Sequence, residues 1–477
     1  MRPRSKGMSL GLLLTATVVA ISPADAADPF STERLTAGAA GTSLERPLDP
    51  LRVQPCQWGP QAAPLTLPEV VDRALCNNPQ SREAWANARF QAAQVGVARS
   101  AFLPSASLSL SSSRNSGSSS GTRGIVDGDL GYSQTSATLS LNYLLYDFGG
   151  RAAALENARQ LMSAVNATQD ASLQSVFLAT VQAYYQWYAA QAQVAAARES
   201  ERASQESLKA AAARYQVGGA TPADKLQAQT AASQATLTRI RAEGDANSAR
   251  GSLANAMGLP ADQVTAIAPP SEITPDAEFE GKVAELIAAA KRARPDLAAA
   301  EAQVLAARAG IDSARATGMP SVSLYANVND THSSAFDPSR SNAIGIAVNI
   351  PIFTGFSTTY RVRAAEAQAD AKTAQRDRIA LQVALDVWRA YNALLTENQA
   401  VRAAMDLLAS ATASEKVAQG RYRAGVGGIL DLLNAQSALA GARQQHIQEL
   451  YNWRLARVSL AQAMGRLDFA ALESAAR

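Results

Sequence analysis

An arginine, a tyrosine, a glycine and an aspartate occur together twice in this chain. Arg214-Tyr215 is followed by Gly218 and Asp224, and Arg421-Tyr422 by Gly425 and Asp431, each position displaced by 207. Gly218-Gly219 and Gly425, with Gly427-Gly428, can take the left-handed conformations that let a helix end and the chain reverse. Each aspartate lies six residues beyond its glycine, where it would open the next helix and meet the positive end of that helix dipole. No Walker lysine accompanies the glycines and no parallel strand precedes them, so a phosphate loop is a poor reading.

Catalysis has little support. His332 falls in a Ser-rich stretch and His446 in a helix-forming one. There is no nucleophile elbow, metal-ligand spacing or nucleotide loop. The aromatic group Tyr184, Tyr185, Trp187 and Tyr188 reads as helix packing. The expectation is no enzyme, no cofactor and no metal.

The elements that hold the tip residues are long and duplicated. The offset of 207 also links Tyr184 to Tyr391 and Met257-Gly258 to Met464-Gly465. Pro79 and Pro104 match Pro295 and Pro320 at an offset of 216, which implies a loop insertion in the first copy. A period this long indicates a duplicated half-molecule and not a short-unit solenoid. Each half reads as helix, strand, strand, very long helix, tight turn, long helix. The first helix opens at Thr66-Leu67-Pro68-Glu69, which has capping-box spacing, and is expected to run towards Phe102. Residues 151–217 and 357–419 hold neither glycine nor proline and are rich in strong helix formers. The first stretch alone would extend roughly 100 Å.

Strands precede each rod. Ile344, Ile346, Val348, Ile350 and Ile352 alternate with Gly345, Ala347, Asn349 and Pro351, and Val322, Leu324, Ala326 and Val328 alternate likewise. Leu108 and Leu110, then Leu139, Leu141, Tyr143 and Leu145, repeat the pattern in the first half. A strict period of two with one apolar face suits strands between lipid and an aqueous lumen. The polar stretches 111–134 and 329–342 are expected to be hairpin loops.

The ends set the compartment. Arg2, Arg4 and Lys6 precede an apolar run from Ser9 to Ile21, and Ala24-Asp25-Ala26 offers small residues at a cleavage site. Residues 1–26 are therefore expected to be a secretory signal peptide. Its removal takes away three positive charges and Asp25, so the net charge falls from +3 to +1. A near-neutral chain gives no electrostatic reason to expect nucleic acid. Cys56 and Cys76 would then sit in an oxidising compartment, which leaves open a bridge or two free thiols. After the signal no apolar stretch reaches the roughly 18 residues of a membrane helix, so a membrane would have to be crossed with strands. The expected divisions are an extended segment over 27–64, repeats over 65–259 and 281–467, a linker over 260–280, and a tail over 468–477.

Four strands cannot close a barrel, and a bilayer tolerates no open sheet edge. Pooling strands and helices from several subunits solves both problems. At this point the chain resembles the TolC family of outer-membrane efflux proteins, over about residues 65–467. The resemblance is carried by Leu65-Thr66-Leu67 through Asn78-Pro79, by Tyr146-Asp147-Phe148-Gly149 and Pro351-Ile352-Phe353-Thr354-Gly355, and by the two Arg-Tyr-x-x-Gly tips. It implies an α+β membrane protein, a homotrimer. Four strands per subunit would make a twelve-stranded outer-membrane β-barrel in contact with lipid. A long periplasmic α-helical barrel would continue it, all built from two structural repeats. It implies an inner-membrane ABC transporter and a periplasmic adaptor as partners. Within the family, the chain is similar to a type I channel that exports an adenylate cyclase–haemolysin toxin (cyclolysin), which implies a secreted toxin as cargo. The alternative is the duct of a multidrug or small-molecule efflux pump.

The resemblance also implies roles at the tips. Asp431 matches a position that rings the tunnel entrance, where three symmetry-related carboxylates would attract cations. Asp224 matches a position that links helices in the closed gate, and Tyr422 belongs to the same gate. Asn434 stands where a second ring carboxylate is expected and Gly427 where a gate arginine is, with Arg421 or Arg423 as substitutes. Gly218, Gly219, Gly425 and Gly427 would form the adaptor-docking tips.

Overall fold

A computed structural model describes residues 28–36, 64–119, 128–263, 266–270, 282–335 and 337–467. The signal peptide, the C-terminal tail, Cys56 and most of the extended segment and linker lie outside these residues. The duplication extends to element length. Helices α1 (Leu67–Asn77), α2 (Pro79–Ser100), α3 (Gly150–Gln216) and α4 (Pro222–Ala256) have 11, 22, 67 and 35 residues. Their counterparts α5 (Val283–Ala293), α6 (Pro295–Ala316), α7 (Ser357–Arg423) and α8 (Ile429–Ala463) have the same four lengths. Between each set of short and long helices lies a hairpin: β1 (Ser105–Ser119) with β2 (Gly128–Tyr146), and β3 (Ser321–Ser333) with β4 (Ser339–Asn349).

Two expectations are corrected. The first helix does not run unbroken from Leu67 towards Phe102. Asn78 sits in extended backbone (φ −60, ψ 129) and its side chain accepts from the Gln80 N–H, starting α2 anew. Pro79 causes the break, because a proline ring disfavours helical backbone in the residue before it. Pro295 acts the same way on Arg294 in the second copy. The polar stretches are also not loops throughout: the β1–β2 ladder continues to Ser119 opposite Gly128, and β3–β4 to Thr331 opposite Ser339. Ladder hydrogen bonds come from the backbone, so serine-rich chain extends a hairpin as well as apolar chain does.

The four strands form one antiparallel sheet in the order β1-β2-β3-β4, with β1 and β4 as edges. Register places Leu108 opposite Leu139, Leu139 opposite Val328, Leu324 opposite Ile346, and Ala326 opposite Ile344. That face is apolar, with Leu108, Leu139, Ile344 and Ile346 exposed and Leu324, Ala326 and Val328 half-buried. The other carries Ser109, Thr138 and Asn329 in one row, where the Thr138 hydroxyl donates to the Asn329 side-chain oxygen at 2.9 Å.

Both strand-to-helix junctions need two consecutive residues at positive φ. The first uses Phe148 (52°) then Gly149 (89°), the second Gly355 (62°) then Phe356 (64°). Each phenylalanine there pairs edge to face with a neighbouring ring, Phe148 with Tyr146 and Phe356 with Phe353. Beside the first junction, Arg151 donates to the carbonyls of Leu144 and Leu145 and stacks on Phe102.

The far ends of the hairpin helices lock against the short helices. Gly258 (φ 71) follows α4, and a Cβ there would lie 2.7 Å from the backbone of Asn77; Gly465 (φ 70) follows α8, where a Cβ would lie 2.9 Å from Ala293. Each glycine thus presses against the proline-induced break of its own copy. The Asn78 side chain donates to the Ala256 carbonyl at 3.0 Å and strengthens the first of these joints.

The aromatic group on α3 anchors the linker. Tyr184 donates to the Ala268 carbonyl and Tyr188 to that of Ile267, while Leu65 and Ile267 form a parallel bridge. Tyr184 is almost fully buried with Val70, Val71, Phe177 and Leu253, so one side chain serves the core and holds the crossover between halves. Burial of such a ring stabilises by about 2–3 kcal/mol. Cys76, on α1 in the same region, is disulfide-bonded.

Candidate functional site at the helical tips

Both long helices end in the same way. Gly218 (φ 76) and Gly425 (φ 80) follow α3 and α7, and the next N–H reaches back to a carbonyl of the last turn: Gly219 to Arg214 at 2.8 Å, Val426 to Arg421 at 3.0 Å. This is the six-to-one closure that a left-handed glycine permits. Gly427 lies against the turn it follows, since a Cβ there would come 3.0 Å from Cβ of Arg421. A side chain at that place would have to push the arginine aside.

The return helices start differently. Thr221 caps α4 reciprocally: its hydroxyl accepts from the Asp224 N–H, and the Asp224 carboxylate accepts from the Thr221 N–H at 2.8 Å. These bonds hold the Asp224 carboxyl below the usual aspartate range. Helix α8 starts at Gly428, which has no side chain to cap with. Asp431 stands at the corresponding place, exposed, and no hydrogen bond or ion pair to it is found among the described residues. Asn434, one turn on, is exposed beside it.

The two tips are joined by a residue that the sequence reading left out of its candidates. The Arg214 guanidinium lies 4.3 Å over the Tyr422 ring and donates to the carbonyls of Tyr422 and Arg423. It thereby satisfies the carbonyl end of α7, where a positive charge is favoured. Tyr422 is buried with Ala211, Ala228, Ile429 and Leu432. Arg421, which the same reading did single out, is exposed. The signal for Arg214 was present in the text, because Arg214-Tyr215 and Arg421-Tyr422 are copies of one dipeptide.

Above the tips the hairpins differ again. Ion pairs cross α3/α4, Arg198 to Glu243 at 2.8 Å and Arg239 to Glu201 at 2.7 Å. Helices α7 and α8 instead bring Glu397 beside Glu449, and burial followed by that neighbour pushes the Glu397 carboxyl up. Trp453 donates to Asn398 at 2.6 Å and fills the core with Leu394 and Val401. Among the described residues, no group of three or more His, Cys, Asp or Glu could hold a metal ion, and no helix is long and apolar enough to cross a membrane. His332 lies 3.1 Å from Asp330 on β3, far from the tips in the fold.

Comparison with known proteins agrees with this architecture. The sequence matches the outer membrane efflux protein family over residues 70–259 and 286–466. It is 32% identical over 408 residues to protein CyaE of Bordetella pertussis, covering 84% of each chain. It is 30% identical to the probable efflux pump outer membrane protein SepC of Pseudomonas putida, covering 83% of this chain and 82% of that one. It is 26% identical to the alkaline protease secretion protein AprF of Pseudomonas aeruginosa, covering 84% of each. Among solved structures, the outer-membrane channel OprN superposes with a TM-score of 0.73 at 23% identity, over 84% of this chain and 89% of that one. The CmeC outer membrane channel of Campylobacter jejuni does so with 0.75 at 18%, over 89% and 94%.

Proposed function

We propose that this chain, which belongs to the outer membrane efflux protein family, is the outer-membrane duct of a type I secretion system that exports a large protein toxin. Family channels are trimers that reside in the outer membrane, extend a helical part into the periplasm, and work with inner-membrane transporters and periplasmic adaptors. They conduct and do not catalyse. The observation that carries the secretion reading is the likeness to CyaE across 84% of both chains, joined by a secretion protein, AprF, over the same share. An adenylate cyclase–haemolysin cargo is the one implied by the sequence resemblance. The inner-membrane partner is then an ABC transporter, and the adaptor docks at the tips built by Gly218, Gly219, Gly425 and Gly427.

At the entrance, three copies of Asp431 would converge once the trimer closes, and Asn434 would line the ring without adding charge. Tyr422 and Arg421 belong to the closed gate. Asp224 contributes to that gate through the helix start it caps. The similarity to SepC supports a second reading, a duct for small toxic compounds. A strain deleted for this gene separates the two. Loss of one large extracellular protein with unchanged drug tolerance is expected. Unchanged secretion with heightened drug sensitivity would move the chain to the efflux class.

A further inference from the structure

Within one subunit the two tips are stitched by side chains from opposite copies. Arg214 on α3 stacks on Tyr422 of α7 and bonds the carbonyls beyond it. Gln436 on α8 donates to the Ser207 hydroxyl on α3 at 3.0 Å. Leu208 on α3 packs into the same cluster as Leu432 on α8.

The same residue types recur 207 positions away with the copies exchanged. Arg421 and Ser414 on α7 correspond to Arg214 and Ser207; Tyr215 on α3 and Gln229 on α4 correspond to Tyr422 and Gln436. Inside the subunit this second set does not stitch the tips: Arg421, Ser414 and Gln229 are exposed, and Tyr215, 41% exposed against 5% for Tyr422, carries only the Lys225 ammonium of its own hairpin over one ring face at 5.5 Å. The leucine pair alone changes character, to Glu415 and Lys225, which carry opposite charge.

A ring of three chains, each of two like halves, has six boundaries between halves: three inside subunits and three between them. Head-to-tail contacts that close a ring repeat the same patch at every boundary. We propose that the boundary between subunits repeats the internal stitch. Arg421 lies over Tyr215 of the partner subunit and donates to the carbonyl end of that subunit's α3. Ser414 bonds Gln229 of the partner subunit, and Glu415 pairs with Lys225 of the partner subunit. The contact inside a subunit keeps its leucines, while the contact between subunits replaces them with an ion pair that salt screens. The tips therefore part between subunits before they part within one. This inference is independent of the cargo.

The test is a Gln229→Cys, Ser414→Cys double variant, treated with a short bis-maleimide as the purified trimer. Covalent dimers and trimers on a denaturing gel are expected, and neither single variant should give them. A Ser207→Cys, Gln436→Cys control should link only within a monomer. Monomers alone from the first variant, with the control closed, would overturn the proposal. A second measurement does not depend on cysteines. Lys225→Glu should raise single-channel conductance severalfold, and adding Glu415→Lys should restore it. Failure of the swap to restore it would remove the ion pair from the contact.

Discussion

The two tips carry the same residues and use them for different ends. At the first, Thr221 and Asp224 cap each other and Arg214 reaches across to the other hairpin, so the charged side chains are consumed in holding helices. At the second, Gly428 leaves α8 uncapped by any side chain, and Arg421 and Asp431 face solvent. With a threonine cap the aspartate is used in holding a helix start, and with glycine in that place its counterpart is left exposed. The difference also runs up the rods. Ion pairs cross the first hairpin, whereas the second pairs two carboxyls and packs Trp453. Side chains hold the first hairpin at its tip, whereas the second leaves an arginine and an aspartate exposed there.

The comparison can be broken most forcefully at the joints both halves share. Gly258→Ala and Gly465→Ala put a Cβ within 3 Å of backbone at positive φ. Each is expected to cost more than about 3 kcal/mol, as backbone strain and a clash combine. Gly425→Ala, with nothing within 4 Å, should cost only about 1 kcal/mol. Heat resistance of the trimer on gels measures all three, and equal losses would mean that the joints are not close contacts. A bulky residue at Gly425 is expected to block export while trimers still reach the membrane.

A smaller effect lies on α3. Burial raises the Asp170 carboxyl to about 6, above an unfolded value near 4. The folded state therefore holds a proton that the unfolded chain releases. This contribution is full below about pH 4 and is lost as pH rises through 6. With allowance for solvent screening of a half-buried carboxyl, Asp170→Asn should stabilise the protein at pH 7 by roughly 1–2 kcal/mol. It should also flatten the melting profile between about pH 4 and 6; an unchanged profile would remove Asp170 as its source.

Next comes the cap. Thr221→Ala is expected to cost about 1 kcal/mol, and Thr221→Gly only about a few tenths. Urea unfolding of the two variants compares them directly. The smallest effect belongs to the ion pairs: Glu201→Gln should lose about 0.5–1 kcal/mol, and the loss should shrink in high salt.

Much of this was legible in the sequence. Absence of glycine and proline marked α3 and α7, alternation marked the central strands, and the repeat offset marked the halves. What escaped depended on partners distant in sequence or on competing local signals. The break at Asn78 was hidden because the apolar pattern of α1 runs on into α2, and only the proline's effect on its predecessor separates them. Serine-rich strand ends carry no alternation, so the hairpins are longer than they read. Tyr184 and Tyr188 read as packing, and nothing local shows that they also bind the linker carbonyls. At the tips, Thr221-Pro222-Ala223-Asp224 has capping-box spacing and Gly428-Ile429-Leu430-Asp431 does not, so the difference between the aspartates was written in the chain. Arg214 was passed over because its partner, Tyr422, lies 208 residues away.

Reversal potentials in planar bilayers across a potassium chloride gradient, for Asp431→Asn and Asp224→Asn side by side, test the division of labour between the tips most directly. At the proposed trimer entrance Asp431→Asn takes away three converging charges and should weaken cation selectivity, whereas Asp224→Asn should leave it near that of the parent. Equal loss in both variants, or loss only in Asp224→Asn, would contradict the account.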